Sequence, residues 1–262
     1  GTVNAITKDP YSYGEGVNVN GRGYYRVSSA ENSHIGRGEL SLGIEEHTGV
    51  LVGGSGKEFG DLIGGDTVGR QTHIGYGEYD VDLKVERYLS DHTKLVLAHQ
   101  RVRQNNVPRT HKTRFSKANQ IGWEGLTQNN ELQRDLDQER ELTYLQLHAD
   151  EGEGGLDRFR GSVSYQRQSE TRDRIQADGS RDMQGFDVDT FGLWMNATSE
   201  TAIGELTFGF DFYHDNVNSF STENAIQGPV ADDATYDLLG VFVQNKFNLA
   251  EDVEVTLDEI GK

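Results

Sequence analysis

The sequence contains no cysteine, three prolines and two tryptophans among 262 residues. Without cysteine there is no disulfide and no thiolate metal site, and the redox compartment stays open. Apolar residues reach only 34%, little for a chain that must fill a dry interior. No run approaches the roughly 18 apolar residues of a membrane-crossing helix. No basic segment followed by an apolar one opens the chain. It starts GTVNAITKDP, without methionine, so it reads as cut from something longer, and the missing signal segment says little about location. Basic residues are also in the minority: 25 Lys and Arg against 43 Asp and Glu give a formal charge of −18. Such a surface repels nucleic acid, so no nucleic-acid partner is expected. The acidity itself reads as solubility.

Glycine is plentiful, at 32 residues, and alternation runs through most of the chain. In GELTFGFDFYHDN, residues 204–216, Leu206, Phe208, Phe210 and Phe212 share one face. Thr207, Gly209, Asp211 and Tyr213 share the other, as a strand with one apolar side requires. The same pattern sets Leu40, Leu42 and Ile44 against Glu39, Ser41 and Glu45. It sets Tyr79, Val81, Leu83 and Val85 against Asp80, Asp82, Lys84 and Glu86. Strands are predicted near 17–29, 34–46, 49–59, 75–89, 93–106, 138–150, 156–169, 187–198, 203–216, 236–248 and 252–258. The segment NNELQRDLDQEREL is predicted to be a short helix or an irregular loop, with Leu132 and Leu136 one turn apart.

The links between these strands alternate in length. HTG, SDHT, EGEGG, TSET and LAED are short, while 60–74, 107–137, 170–186 and 217–235 are long; only AENS breaks the rule. Consecutive antiparallel strands send their connections to alternate ends, so the long loops collect at one end. Outer-membrane barrels have this asymmetry, with short periplasmic turns and longer extracellular loops. The fold class expected is therefore all-β: an antiparallel meander of about eleven strands forming part of a transmembrane β-barrel. Apolar faces would meet lipid and polar faces a wet lumen or plug. Tyr24, Tyr25, Tyr76, Tyr88, Tyr144, Phe159, Tyr213, Tyr236 and Phe247 fall near strand ends, where interfacial aromatics belong. An odd count of strands, with strand-like sequence at the very end, implies truncation at both ends.

Three stretches carry a family resemblance. GTVNAITK, with Gly1, Asn4, Ile6, Thr7 and Lys8, resembles the end of the plug domain in TonB-dependent outer-membrane receptors. NNVPRTHKT followed by LQRDLDQERELTYLQLHAD resembles the third extracellular loop and next strand of a branch of that family, and LLGVFVQNKFNLAEDVEVTL resembles its paired strands about a periplasmic turn. The resemblance implies that residues 1–10 are the C-terminal end of the plug and its linker. Residues 11–262 would then be the N-terminal part of the barrel, about half of one that in this family has about 22 strands. It implies a receptor for a scarce nutrient held as a ferric chelate, located in the outer membrane of a Gram-negative-type bacterium and in contact with its lipids. A TonB complex would energise it through the plug N-terminus. The plug body, the TonB-interacting box and the final strand with its terminal aromatic are absent. After Leu257 the chain reads DEIGK where the family continues toward Gly-Gly-Arg. A chain cut in this way would transport nothing alone.

No enzyme is expected, and no cofactor. GGSGKE at 53–58 has Leu51 and Glu58 where a phosphate loop needs Gly and Ser or Thr. The eight histidines form no His-Glu-x-x-His, and there is no Gly-x-Ser-x-Gly. The pairs Asp80 with Asp82 and Asp187 with Asp189 share strand faces and read as hydrated, lumen-facing charges. Arg22, Arg26, Glu86, Arg158 and Arg160 also read as lumen-facing and in contact with the plug. Asp178 and Gly179 mark a hairpin tip. One cationic cluster stands against the acidic background: Arg109, His111, Lys112 and Arg114, with Phe115 and Trp123 following in the longest loop. Guanidinium forks suit carboxylates and phosphates. These residues are candidate contacts for an anionic ligand such as a ferric chelate, for lipopolysaccharide phosphate, or for neighbouring loops. A passive porin or a non-membrane β-rich surface protein are the alternatives to a receptor.

Overall fold

The structure, a computed structural model, describes residues 7–10, 14–66, 68–116, 131–151, 156–223, 231–250 and 253–261. The strands in chain order are β1 (Val17–Ser28), β2 (Ser33–Ile44), β3 (Thr48–Phe59), β4 (Leu62–Ile63), β5 (Arg70–Gln71), β6 (Tyr76–Ser90) and β7 (Thr93–Pro108). After them come β8 (Gln133–Asp150), β9 (Arg158–Ile175), β10 (Arg181–Thr201), β11 (Gly204–Ser221), β12 (Ala234–Ala250) and β13 (Val253–Gly261). Eleven of these form one sheet in the order β1-β2-β3-β6-β7-β8-β9-β10-β11-β12-β13, and β4 pairs with β5 in a separate finger. Every neighbour in the large sheet is antiparallel and next in sequence, apart from the finger between β3 and β6. This is the expected meander.

Register fixes the two faces. One row across β7 to β12 reads Leu97, Leu145, Val163, Leu193, Phe212 and Leu239. The row beside it reads Leu95, Leu147, Gly161, Met195, Phe210 and Val241. On β1 to β6 the same face carries Gly21, Leu40, Val52 and Leu83. Large apolar side chains on this face are exposed, Val243 by 50% and Val163 by 44%. The other face lines a cavity of about 800 Å³ with residues from six consecutive sheet strands, β6 to β11, among them Lys84, Lys94, Tyr144, Ser162, Trp194 and Tyr213. The sheet therefore curls around its polar side. Glu86, only 2% exposed, sits there between Lys84 at 3.5 Å and Lys94 at 3.4 Å. Apolar residues outside and charged residues inside reverse the order of a water-soluble domain. A membrane barrel has this arrangement.

The inner charges are paired across strands. Arg37 on β2 holds Asp80 at 3.2 Å and Asp82 at 2.8 Å on β6, and Lys57 on β3 holds Asp80 at 2.9 Å. This network explains one glycine of GGSGKE, which lies within β3 rather than in a phosphate loop. A Cβ on Gly53 would stand 2.5 Å from Arg37 Nη2 and 2.8 Å from an Asp82 oxygen. Residues 7–10 lie on the same inner face, where Lys8 pairs with Glu39 and Asp9 with Lys84.

Four expectations need correction. Residues 133–142 are strand, not helix or irregular loop, because the start of β8 pairs residue by residue with β9 from Gln133 to Ile175 onward. Two neighbouring partners outweigh the local helical spacing of its leucines. The long link expected at 170–186 is mostly ladder: β9 continues to Ile175 and β10 starts at Arg181. Its tip is where the Asp178-Gly179 signal put it, with Gly179 at φ +86° and Gln176 N–H bonded to Ser180 O at 2.9 Å. Asp187 and Asp189 share the outward face of β10 with Phe191 and Leu193, so they are not lumen-facing. Asp187 pairs there with Arg167 at 3.0 Å, and Asp189 accepts from the Tyr165 hydroxyl at 2.6 Å. Of the nine rim aromatics, Tyr25, Phe159 and Phe247 face outward. The other six fall on the inner face, as Tyr144 and Tyr213 do on the cavity wall.

Candidate functional site

The cationic segment of the longest loop is tied down at both ends. Thr110–Lys112 forms a short 3-10 turn. Arg109 N–H donates to Arg134 O at 2.7 Å, and Arg114 N–H donates to Glu131 O at 3.1 Å. Between them Thr113, 3% exposed, closes the turn through its hydroxyl on Thr110 O at 2.9 Å. The preceding loop leans on this segment. His73, at φ +62°, stacks on Phe115 with ring centroids 3.6 Å apart, and the Arg114 guanidinium lies 5.0 Å from the same ring. Asp61 holds His73 in place, accepting its backbone N–H at 2.9 Å and Arg70 Nε at 3.2 Å. Together these residues wall a pocket of about 400 Å³, shared by Arg109, Arg114, Phe115, His73, Arg134 and Asp135.

Below it, strand ends on the inner face bring three more arginines together. Arg134 on β8, Arg174 on β9 and Asp182 on β10 occupy one transverse row. Two guanidiniums directly opposite each other repel, and the acids beside them offset part of that. Arg174 reaches Asp182 at 2.8 Å and Glu131 at 3.8 Å; Arg134 reaches Glu131 at 3.3 Å; Arg172 reaches Asp182 at 3.3 Å. Arg134 and Arg172 are each 7% exposed, and Asp182 is 3% exposed. Among the described residues these three arginines are bridged by Glu131 and Asp182, with Arg109, Lys112 and Arg114 in the adjoining loop. Burial, together with Arg134 and Arg174, holds the Arg172 guanidinium below its ordinary range. Burial, with Arg134, Lys112 and Arg109 alongside, lowers His111 as well, so its imidazole stays neutral where an ordinary histidine begins to protonate. The arrangement is a partly dehydrated field of positive sign that can hold an anion by charge-assisted hydrogen bonds.

Of the residues expected from sequence, Arg109 and Arg114 line the pocket, and His111 and Lys112 form the turn that presents them. Trp123 lies outside the described residues. Sequence reading missed His73, Arg134, Arg172 and Arg174. The signal for the last two was the alternation in ETRDRI, which puts both arginines on one face and Asp173 on the other.

No protein-family model and no curated protein sequence matches the chain. Solved structures do. The copper transporter OprC superposes with TM-score 0.71 at 16% identity, over 93% of this chain and 36% of that one. The FrpB iron transporter of Neisseria meningitidis gives TM-score 0.66 at 12% identity, over 97% and 44%. The hemophore receptor HasR of Serratia marcescens, in complex with its hemophore and heme, gives 0.65 at 16% identity, over 88% and 31%. The chain spans less than half the length of each. Such identities carry fold and no more. These neighbours are TonB-dependent receptors, and the chain shares its fold with part of their β-barrel.

Proposed function

We propose that the protein is an outer-membrane receptor that takes up a scarce nutrient as an anionic chelate, such as a ferric siderophore complex, with energy supplied by a TonB complex. The observation that carries the reading is the cluster of buried guanidiniums at the mouth of a wet-walled barrel, in a chain whose overall charge is −18. An anion entering this region meets Arg109 and Arg114 first, then Arg134. The lumen below offers ion pairs and hydroxyls, which suit binding and passage. Residues 1–10 act as the tail of a plug. Their described part, 7–10, rests on the inner wall through Lys8 with Glu39 and Asp9 with Lys84.

The test is equilibrium binding of ferric chelates of graded charge to the full-length receptor in detergent. Arg109→Glu with Arg114→Glu is expected to weaken a trianionic chelate by about a hundredfold, two charge-assisted contacts at about 1.5 kcal/mol each. A neutral chelate should be little affected. Equal affinity of parent and double variant for the trianion would refute the assignment.

A further inference from the structure

The outward face carries a second recess, across the wall from the mouth. Register places Tyr25, Gly36, Gly56 and Tyr79 side by side on β1, β2, β3 and β6, with Val27, His34, Glu58 and Gly77 in the next row up. The tyrosine rings wall a cavity of about 480 Å³ whose rim holds His34, Glu58 and Asn105. The Tyr25 hydroxyl is hydrogen bonded to His34 Nδ1 at 2.6 Å. The protein does not need its floor to be glycine. A Cβ on Gly56 meets nothing within 4 Å, and one on Gly36 meets only the Tyr25 ring at 3.8 Å.

The position of the recess limits what can enter it. Two rows down, the outward face is Gly21, Leu40, Val52 and Leu83, part of the apolar belt. Beside it on β7, Arg103 stands opposite Tyr79 and Arg101 opposite Val81. Arg103 Nε donates to Asn105 Oδ1 at 3.1 Å, on the rim itself. Glu139 and Glu141 hold Arg101 at 2.6 and 3.0 Å. Arg103 also reaches Glu139 at 3.6 Å, so these contacts orient both guanidiniums, which stay part-exposed beside the recess. Aromatic walls, a carboxylate and an imidazole for hydroxyl groups, fixed guanidiniums alongside and an oily surface directly below match a phosphorylated sugar carried on acyl chains.

We propose that this recess seats one phosphorylated glycolipid of the outer leaflet. The sugar lies between Tyr25 and Tyr79, its hydroxyls reach Glu58 and His34, its phosphate meets Arg103 and Arg101, and its chains descend over Leu40 and Val52. The proposal rests on the membrane reading of the outer face.

Native mass spectrometry of the full-length receptor, released from bilayers of phosphatidylethanolamine with diphosphoryl lipid A, tests it. The parent is expected to retain one diphosphoryl lipid A through detergent washing. Gly56→Val, which fills the recess, should reduce retention about tenfold, the equivalent of about 1.4 kcal/mol. Arg103→Gln should do so for diphosphoryl but not for dephosphorylated lipid A. Tyr25→Leu should match Gly56→Val while leaving the floor intact. Heat-modifiable gel mobility certifies that each variant is folded. Retention unchanged in both Gly56→Val and Tyr25→Leu, or phosphatidylethanolamine retained as firmly as lipid A, overturns the site. Dispersal of the parent in detergent-free buffer would instead overturn the membrane reading beneath it.

Discussion

Phe210 and Asp211 are neighbours in the chain and meet opposite surroundings, because successive strand side chains point to opposite faces. Phe210 lies in the middle of the outward belt, between Met195 and Val241. Phe210→Arg is expected to cost about 2–4 kcal/mol, the depth-dependent penalty for arginine near the bilayer midplane. Thr207→Arg, on the wet inner face, should cost less, because the arginine there need not enter hydrocarbon. Denaturant titration of the receptor folded into vesicles compares the two. At the mouth, Asp182→Asn removes the carboxylate shared by Arg172 and Arg174. Breaking a buried pair from one side costs about 3–5 kcal/mol, and the same titration should register the loss. Asp135 behaves in the opposite way. Burial, with Asp173 and Asp137 nearby, raises its carboxyl above the ordinary range against a hydrogen bond from Gln133. The folded state then holds that proton more tightly than the unfolded state. Stability from this group is greatest below the ordinary carboxylate pKa of about 3.9 and falls as pH rises through the raised value. Asp135→Asn should therefore match the parent near about pH 3 and exceed it at about pH 7 in denaturant midpoint.

At the scale of strands, the alternation of residues was a sufficient guide within the membrane and an insufficient one above it. Eleven strands and their faces were legible because one side of each had to be apolar over about 25 Å of bilayer. Above that height both faces meet water, the apolar constraint lapses, and the sequence turns polar while the ladder continues. That is why 170–175 and 181–186 read as loop and are strand. It is also why the start of β8 reads as a short helix or irregular loop, since only the partner strand reveals its pairing. The cationic site was half legible. Arg109 and Arg114 stand out in a loop, whereas Arg134, Arg172 and Arg174 meet only through cross-strand register. The hairpin tip offers a local test. Gly179 has φ +86° with no atom near its missing Cβ, so the cost of Gly179→Val is backbone strain alone, about 1–3 kcal/mol. Hydrogen exchange should speed up in 174–182 and stay unchanged in 188–198.

At the scale of the molecule, one curled sheet separates two environments, and function follows from what each side can hold. Inside are ion pairs, hydroxyls and the resting place of residues 7–10; at one end is a buried cluster of arginines; outside is an apolar belt. All of this rests on the outer face meeting hydrocarbon. This chain has no cysteine, so single cysteines can be placed one at a time from 205 to 217 along β11, after replacing any cysteine elsewhere in the full-length receptor. In proteoliposomes of the full-length receptor, labels at 206, 208, 210 and 212 should be quenched by lipid-borne spin probes and shielded from aqueous thiol reagents. Labels at 207, 209, 211 and 213 should do the reverse. Water-accessible labels at the even positions, or no alternation between the two sets, would contradict the account.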